Sequence, residues 1–189
     1  MSNEQRTTDN EQRTTDYGQE PKAPYGRTKI KVLFVCMGNI CRSPMAEAVF
    51  KDLVTKAGLS DQFYVDSVGT DAYHVGEPAH RGTQRVLAEH GIRCESVSRQ
   101  VTRADLEKAD YIVVMDHSNA SDLQAMGPKA VLNGRLHLLL SFAEGRQGHT
   151  RSGLDVPDPY YTGNFEEVYR LVEAGCKGLL AHIRREREI

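Results

Sequence analysis

Apolar positions begin abruptly at Ile30. The first 28 residues contain no Ile, Leu, Val, Phe or Trp, so they have nothing to bury against a core. From Ile30 onward two periods alternate. "IKVLFV", Ile30 to Val35, is a short apolar, β-branched run, the pattern of a buried strand of a parallel sheet. A helix follows, with Ser43 as its N-cap and Pro44 at its first position. Within it Met45, Val49 and Leu53 recur at i, i+4, with Ala46, Phe50, Val54 and Ala57 beside them, until Gly58 ends the run. Phe63 to Gly69 reads as a second strand, Arg81 to Gly91 as a helix, and Asp110 to Asp116 as a third strand. Ser118 to Met126 reads as a short helix, and Arg135 to Phe142 as a fourth strand. The last helix runs from about Asn164 to Arg185, with Phe165, Val168, Val172, Cys176, Leu179 and Ile183 on one stripe. This alternation predicts an α/β fold: a three-layer sandwich with a four-stranded parallel sheet and helices on both faces. In such sheets ligands bind at the carboxyl ends of the strands, which is where the chain leaves Val35.

Length and composition narrow the class. A chain of 189 residues suits one domain with a single sizeable core, and 39% hydrophobic with 26% charged residues is ordinary for a globular protein. The net charge of −2 gives no sign of a nucleic-acid partner, and the terminal "RRER" reads as a solvated helix end. Apolar runs such as Leu138 to Leu140 are far too short to span a bilayer, and no leader is visible. Residues 1–28, with "NEQRTTD" at Asn3 to Asp9 repeated at Asn10 to Asp16, read as a disordered tail before a folded domain at 29–189. The repeat has no apolar heptad pattern, so it is no coiled coil. Four cysteines in a chain of this size do not make a disulfide scaffold, and Cys36 with Cys41 lacks the second ligand pair of a zinc site. A reducing, cytoplasmic setting is the expectation.

The stretch "VCMGNICRSP", Val35 to Pro44, carries the chemistry. Between a strand and a helix N-terminus, the backbone N–H groups of Met37, Gly38, Asn39, Ile40 and Cys41 can converge on an anion, aided by the helix dipole. Gly38 and Asn39 suit the backbone angles such a turn demands. Arg42 adds a planar fork for two oxygens of a phosphate. Surroundings of this kind favour the thiolate of a cysteine, its nucleophilic form, which points to Cys36, with Ser43 able to donate a hydrogen bond to the sulfur. A second-half partner is needed to protonate a leaving group. "DVPDPYYTG" offers two carboxylates, Asp155 and Asp158, the latter held between Pro157 and Pro159.

"VLFVCMGNICRSPMAEAVF" resembles the active-site loop of the low-molecular-weight protein tyrosine phosphatases. The likeness runs from Ile30 to about Arg185, through "DSVGTDAYHVGEPAHRG", "RQVT", "DYIVVMD" with "SN" after it, and "DPYYTGNFEEVY". The resemblance implies a four-stranded parallel sheet and a phosphocysteine mechanism with no metal and no cofactor. It implies Cys36 as nucleophile, Arg42 as the group that binds the transition state, and Asp158 as general acid and base. It puts Tyr73 on one wall of the substrate slot, opposite Tyr160 and Tyr161, and makes Ser67 a support for Asn39. Phosphoarginine-directed members tend to carry threonine where this chain has Ile40, so Ile40 and the tyrosine pair lean towards phosphotyrosine. Many relatives have a histidine where this chain has Ser96, so the support beneath the loop is expected to be wired differently. His74 and His117 are given no role. Cys41, beside the nucleophile, is expected to form a reversible Cys36–Cys41 disulfide. The implied partners are tyrosine-phosphorylated proteins, with no nucleic acid or membrane, and the chain is expected to be a monomer or weak homodimer. A thiol-dependent arsenate reductase would need two further cysteines close together, which Cys94 and Cys176 do not supply. A silent phosphate-binding module would have no use for Cys36, Arg42 and Asp158 together.

Overall fold

The computed structural model describes residues 29–126, 132–145 and 151–189. The tail expected at 1–28 lies outside the described residues. Strands β1 (Ile30–Cys36), β2 (Phe63–Gly69), β3 (Tyr111–Val114) and β4 (Leu136–Leu138) form one parallel sheet in the order β2-β1-β3-β4. The helices are α1 (Arg42–Lys56), α2 (Arg81–Glu89), α3 (Arg103–Lys108), α4 (His117–Met126) and α5 (Phe165–Arg187), with a single helical turn at Pro159–Thr162.

The pleat of β1 builds the three layers. Val32, Phe34 and Cys36 face one core with Val49 and Phe50 of α1 and Val168 and Val172 of α5. Leu33 and Val35 face the other, with Leu106 of α3 and Leu123 of α4. Alternate residues of one strand thus serve two cores, which is why the run carries no polar position after Lys31. Phe50 meets Phe34 and Phe63 edge-to-face at 5.6 and 5.7 Å, and burying each such side chain contributes about 1.5–3 kcal/mol. Because β2 and β3 flank β1 on opposite sides, the chain crosses over in opposite directions from it. That makes the carboxyl end of β1 the crevice of the sheet.

Three local readings need correction. The apolar run from Arg135 to Phe142 is a strand only over Leu136–Leu138; Leu139–Ser141 is a 3-10 turn. Fully buried Leu139 and Leu140 turn off the sheet and press against α5, where a Cβ on Gly175 would stand 2.6 Å from Leu139 Cγ. Helix α1 begins at Arg42, with Cys41 at the N-cap and no side-chain cap, so Ser43 and Pro44 lie inside its first turn. The Ser43 hydroxyl serves the site below instead. Finally, α3 is an added element, closed by a capping box between Thr102 and Asp105.

Candidate active site

The loop from Met37 to Cys41 is held by its carbonyls. Thr70 N donates to Cys36 O at 2.9 Å, Asp71 N to Met37 O at 3.0 Å, His80 N to Ile40 O at 2.7 Å and Met45 N to Cys41 O at 3.2 Å. Ser98 Oγ donates to Gly38 O at 3.0 Å, and Thr83 Oγ1 to Cys41 O at 3.3 Å. A trans peptide unit points its N–H opposite to its C=O. With these carbonyls turned outward, the N–H groups of Met37, Gly38, Asn39, Cys41 and Arg42 turn to the concave side.

Asn39 sits at φ 52°, a left-handed conformation that asparagine tolerates better than most residues. Gly38 does not share it; its lack of a side chain matters because a Cβ there would lie 3.0 Å from the His74 ring. The Asn39 amide, 1% exposed, donates to Ser43 Oγ and Ser67 Oγ, both at 2.9 Å, and accepts from Arg99 N at 3.0 Å. Ser43 Oγ lies 3.1 Å from Cys36 Sγ. Ser67 Oγ and Ser96 Oγ donate to one oxygen of Glu47, at 2.6 and 2.7 Å, so Ser96 reaches the loop through a carboxylate.

Arg42 is 3% exposed. Its Nη1 donates to Asp116 Oδ2 at 2.5 Å and Val156 O at 3.2 Å, and its Nη2 to Asp158 Oδ2 at 2.8 Å. Burial works against its charge, but Cys36, Asp158 and Asp116 raise its pKa above the ordinary arginine value. Arg42 Nε is buried without a partner, a donor left for an oxyanion. Asp158 caps the turn Pro159–Thr162, accepting from Tyr160 N at 3.0 Å.

These groups surround one cavity of about 350 Å³. Its floor is Cys36, Gly38, Ile40, Cys41 and Arg42; its rim is Met37, Tyr73, His74, Asp158, Tyr160 and Tyr161. Asp155 is not on it, but accepts from His117 N at 3.0 Å and pairs with His117 Nδ1 at 2.6 Å, which separates the two candidate carboxylates. Asn39, Ser43 and Ser67 lie buried beneath the floor. Tyr73 is 84% and Tyr161 78% exposed, while Tyr160 packs near His74 and His80. All four cysteines are free thiols. Burial, then the neighbouring Cys36 and Asp158, push the Cys41 pKa up to about 12. Among the described residues no group of three or more His, Cys, Asp or Glu is placed to hold a metal ion, and no helix is long and apolar enough to cross a membrane.

Sequence reasoning missed Asp116, Arg99, Ser98, Glu47 and the wall position of His74. Asp116 was signalled as the acid closing the third strand, at the same carboxyl end of the sheet as the loop. The others become visible only through contacts across 20 or more residues.

The family model described as low molecular weight phosphotyrosine protein phosphatase matches residues 31–189. The chain belongs to that family. It is 48% identical over 164 residues to the low molecular weight protein-tyrosine-phosphatase YfkJ of Bacillus subtilis, covering 85% of this chain and 99% of that protein. The crystal structure of YfkJ superposes with a TM-score of 0.78, covering 85% of this chain and 98% of that one. The low molecular weight protein-tyrosine-phosphatase PtpA of Staphylococcus epidermidis is 40% identical over 83% of this chain and 96% of its own. The structure of DARP, the drosophila arginine phosphatase, is 36% identical at a TM-score of 0.71, covering 82% of this chain and 98% of that one. The resemblance expected from the loop and the parallel α/β sheet therefore hold over residues 31–189.

Proposed function

We propose that this chain hydrolyses protein phosphotyrosine through a phosphocysteine intermediate. The observation that carries the reading is a single cavity with Cys36 and Arg42 on its floor and Asp158 on its rim. A phosphoryl group entering it would meet the loop N–H groups and the unpaired Arg42 Nε, and would displace Asp158 from Arg42 Nη2. Asp158 is then free to carry a proton. Cys36 Sγ attacks phosphorus, the bond from phosphorus to the phenolic oxygen breaks, and Asp158 gives that oxygen its proton. Arg42 and the loop amides hold the equatorial oxygens through the transition state. Water then attacks phosphorus and loses a proton to the Asp158 carboxylate. The phosphorus–sulfur bond breaks, phosphate leaves, and Cys36 departs as a thiolate beside the Ser43 hydroxyl. No step calls on a metal or cofactor.

The walls support the substrate class. Tyr73, Tyr160 and Tyr161 offer rings to a phenyl group, and Ile40 adds an apolar side chain to the floor. Phosphoarginine is the second reading, favoured by the likeness to the arginine phosphatase of Drosophila; Ile40 and the aromatic rim weigh against it. The substrates are tyrosine-phosphorylated proteins, met by residues 29–189 as a monomer or weak homodimer. Four free cysteines suit a reducing compartment, and on that ground we place the protein in the cytoplasm.

The test is hydrolysis of p-nitrophenyl phosphate with EDTA present, by wild type and Cys36→Ser, followed by a phosphotyrosine and a phosphoarginine peptide. Turnover that vanishes in the variant and prefers phosphotyrosine is expected. A folded, reduced wild type without turnover would sink the reading.

A further inference from the structure

We infer that His117 is a positioning residue: through Asp155 it braces the segment that carries Asp158, and so aims the general acid. The inference rests on the proposed role of Asp158. The segment from Asp155 to Pro159 runs past the carboxyl end of β3 with few backbone donors to tie it down, since Pro157 and Pro159 have no N–H. Val156 N donates to Met115 O at 2.8 Å, and Val156 O accepts from Arg42 Nη1 at 3.2 Å. Both bonds belong to one residue. Asp158 itself accepts from Arg42 Nη2 and Tyr160 N, and a phosphoryl group that takes the guanidinium removes the first of these. The acid must leave Arg42 and still stay aimed. What holds its segment at that moment is the anchor on the other side of Val156.

That anchor is one carboxylate oxygen. Asp155 Oδ1 accepts from His117 N at 3.0 Å and pairs with His117 Nδ1 at 2.6 Å. An ionised carboxylate only accepts, so Nδ1 carries the hydrogen. His117 is itself fixed, as the first residue of α4, whose N-terminus is capped by Asn119 N donating to Asp116 Oδ1 at 2.7 Å. The positive end of that helix also favours a carboxylate beside it. Adjacent residues thus divide the work at the end of β3. Asp116 holds Arg42 through its other oxygen, while His117 holds Asp155. The two arms meet where Arg42 touches Asp158. The side chains of His117 and Asp155 are 26% and 38% exposed, and an ion pair that open adds little to stability. What two donors on one oxygen supply is position. Pro157 and Pro159 fix their own φ and restrict the residues before them, so the stretch from Val156 to Pro159 is stiff. A shift at Asp155 therefore passes on to Asp158 instead of being absorbed between them.

Alanine in place of His117 removes the ring donor and keeps the backbone N–H, whereas asparagine puts an amide N–H near the place of Nδ1. The test compares wild type, His117→Ala, His117→Asn, Asp155→Ala and the double alanine variant, with circular dichroism to check that each is folded. It measures kcat/KM for phenyl phosphate and p-nitrophenyl phosphate, inhibition by inorganic phosphate, and deuterium exchange of the peptide from Leu154 to Tyr161 by mass spectrometry. A general acid is worth about 10²–10⁴ in rate, and misplacing a group by about 1 Å forfeits much of that. Each alanine variant should therefore lose about tenfold on phenyl phosphate and about twofold or less on p-nitrophenyl phosphate, which needs little of the acid. Its peptide should exchange faster, and inorganic phosphate should bind no more weakly. His117→Asn should recover most of the loss, and the double variant should be no worse than Asp155→Ala. Equal losses on both substrates, weaker phosphate binding, additive losses, no recovery in His117→Asn, or unchanged exchange overturns the inference. If one alanine variant does not fold, the other decides. Exchange is read without turnover. Faster exchange in His117→Ala, in a protein whose wild type has no phosphatase activity, would support the brace while sinking the proposed reaction; an active wild type with unchanged exchange in that variant would sink the brace alone.

Discussion

Asp158→Asn separates proton donation from charge. One Asp158 oxygen accepts from Tyr160 N at 3.0 Å and the other from Arg42 Nη2 at 2.8 Å. Asparagine is nearly isosteric and can still accept from Tyr160 N, so the turn Pro159–Thr162 should keep its cap. Two things are lost. The first is the proton for the leaving group, worth about 10²–10⁴ in rate where the leaving group is poor. A good leaving group needs little of it, so kcat/KM, which excludes the later water step that Asp158 also serves, should fall far less for p-nitrophenyl phosphate than for phenyl phosphate. The second is a negative charge competing for Arg42. A phosphate on Arg42 and the Asp158 carboxylate it displaces lie roughly 6 Å apart, and at an effective dielectric of about 20–40 their repulsion amounts to about 1–3 kcal/mol. Inorganic phosphate should therefore inhibit the variant about ten- to a hundredfold more tightly. The assay is kcat/KM across a leaving-group series of aryl phosphates, with phosphate inhibition measured on both proteins. Equal loss across the series, or phosphate binding no tighter than in wild type, would refute the assignment of Asp158.

Three further expectations concern the fold and Cys41. Gly178→Ala, in α5, would put a Cβ 1.9 Å from Phe142 O; despite alanine's better helix propensity, overpacking should cost about 1–3 kcal/mol, read as a lower Tm. For Cys41, the folded-state pKa is raised from 9.0 to about 12, so the folded state favours the neutral thiol. Its contribution to stability should be fully present below pH 9.0 and fade as pH climbs from there through about 12, seen as a shallower alkaline loss of stability in Cys41→Ser. The same variant tests the Cys36–Cys41 disulfide: peroxide inactivation that added thiol reverses in wild type should become irreversible, and reversal in both proteins would refute the pairing.

The sheet was legible where local pattern and burial coincide. Strand β2 has the bounds read for it, because Phe63 and Val65 face one core and Val68 the other between a helical turn and a glycine. The stripe on α5 is buried throughout for the same reason. Legibility failed where a distant contact overrode the local rule. Leu139 and Leu140 belong to an apolar run that serves a strand or a tight turn equally well. The choice is made by α5, whose Gly175 and Gly178 admit the turn more than 30 residues later. Thr102 and Asp105 carried a capping-box signal for α3, but six mostly polar residues lack the periodicity that announces a helix.

At the site, the same conflict separates what could be read from what could not. Cys36, Arg42 and the loop between them are local in sequence, so their chemistry was readable from spacing. Ser43 also sits in a local rule, and the rule misled: serine before proline reads as a cap, yet its hydroxyl is taken by Cys36 and Asn39, and the helix starts without a side-chain cap. Gly38 was read for backbone freedom and is needed for the room it leaves His74. Glu47 was invisible, since a glutamate in "MAEAVF" reads as a solvent-facing interruption of an apolar helix. Only Ser67 from β2 and Ser96 from the segment beyond α2 turn it into a buried acceptor. A local rule that breaks without visible cause marks a residue whose partners lie elsewhere in the chain. At Ser43 and Glu47 those partners lead, through Asn39, to the same sulfur.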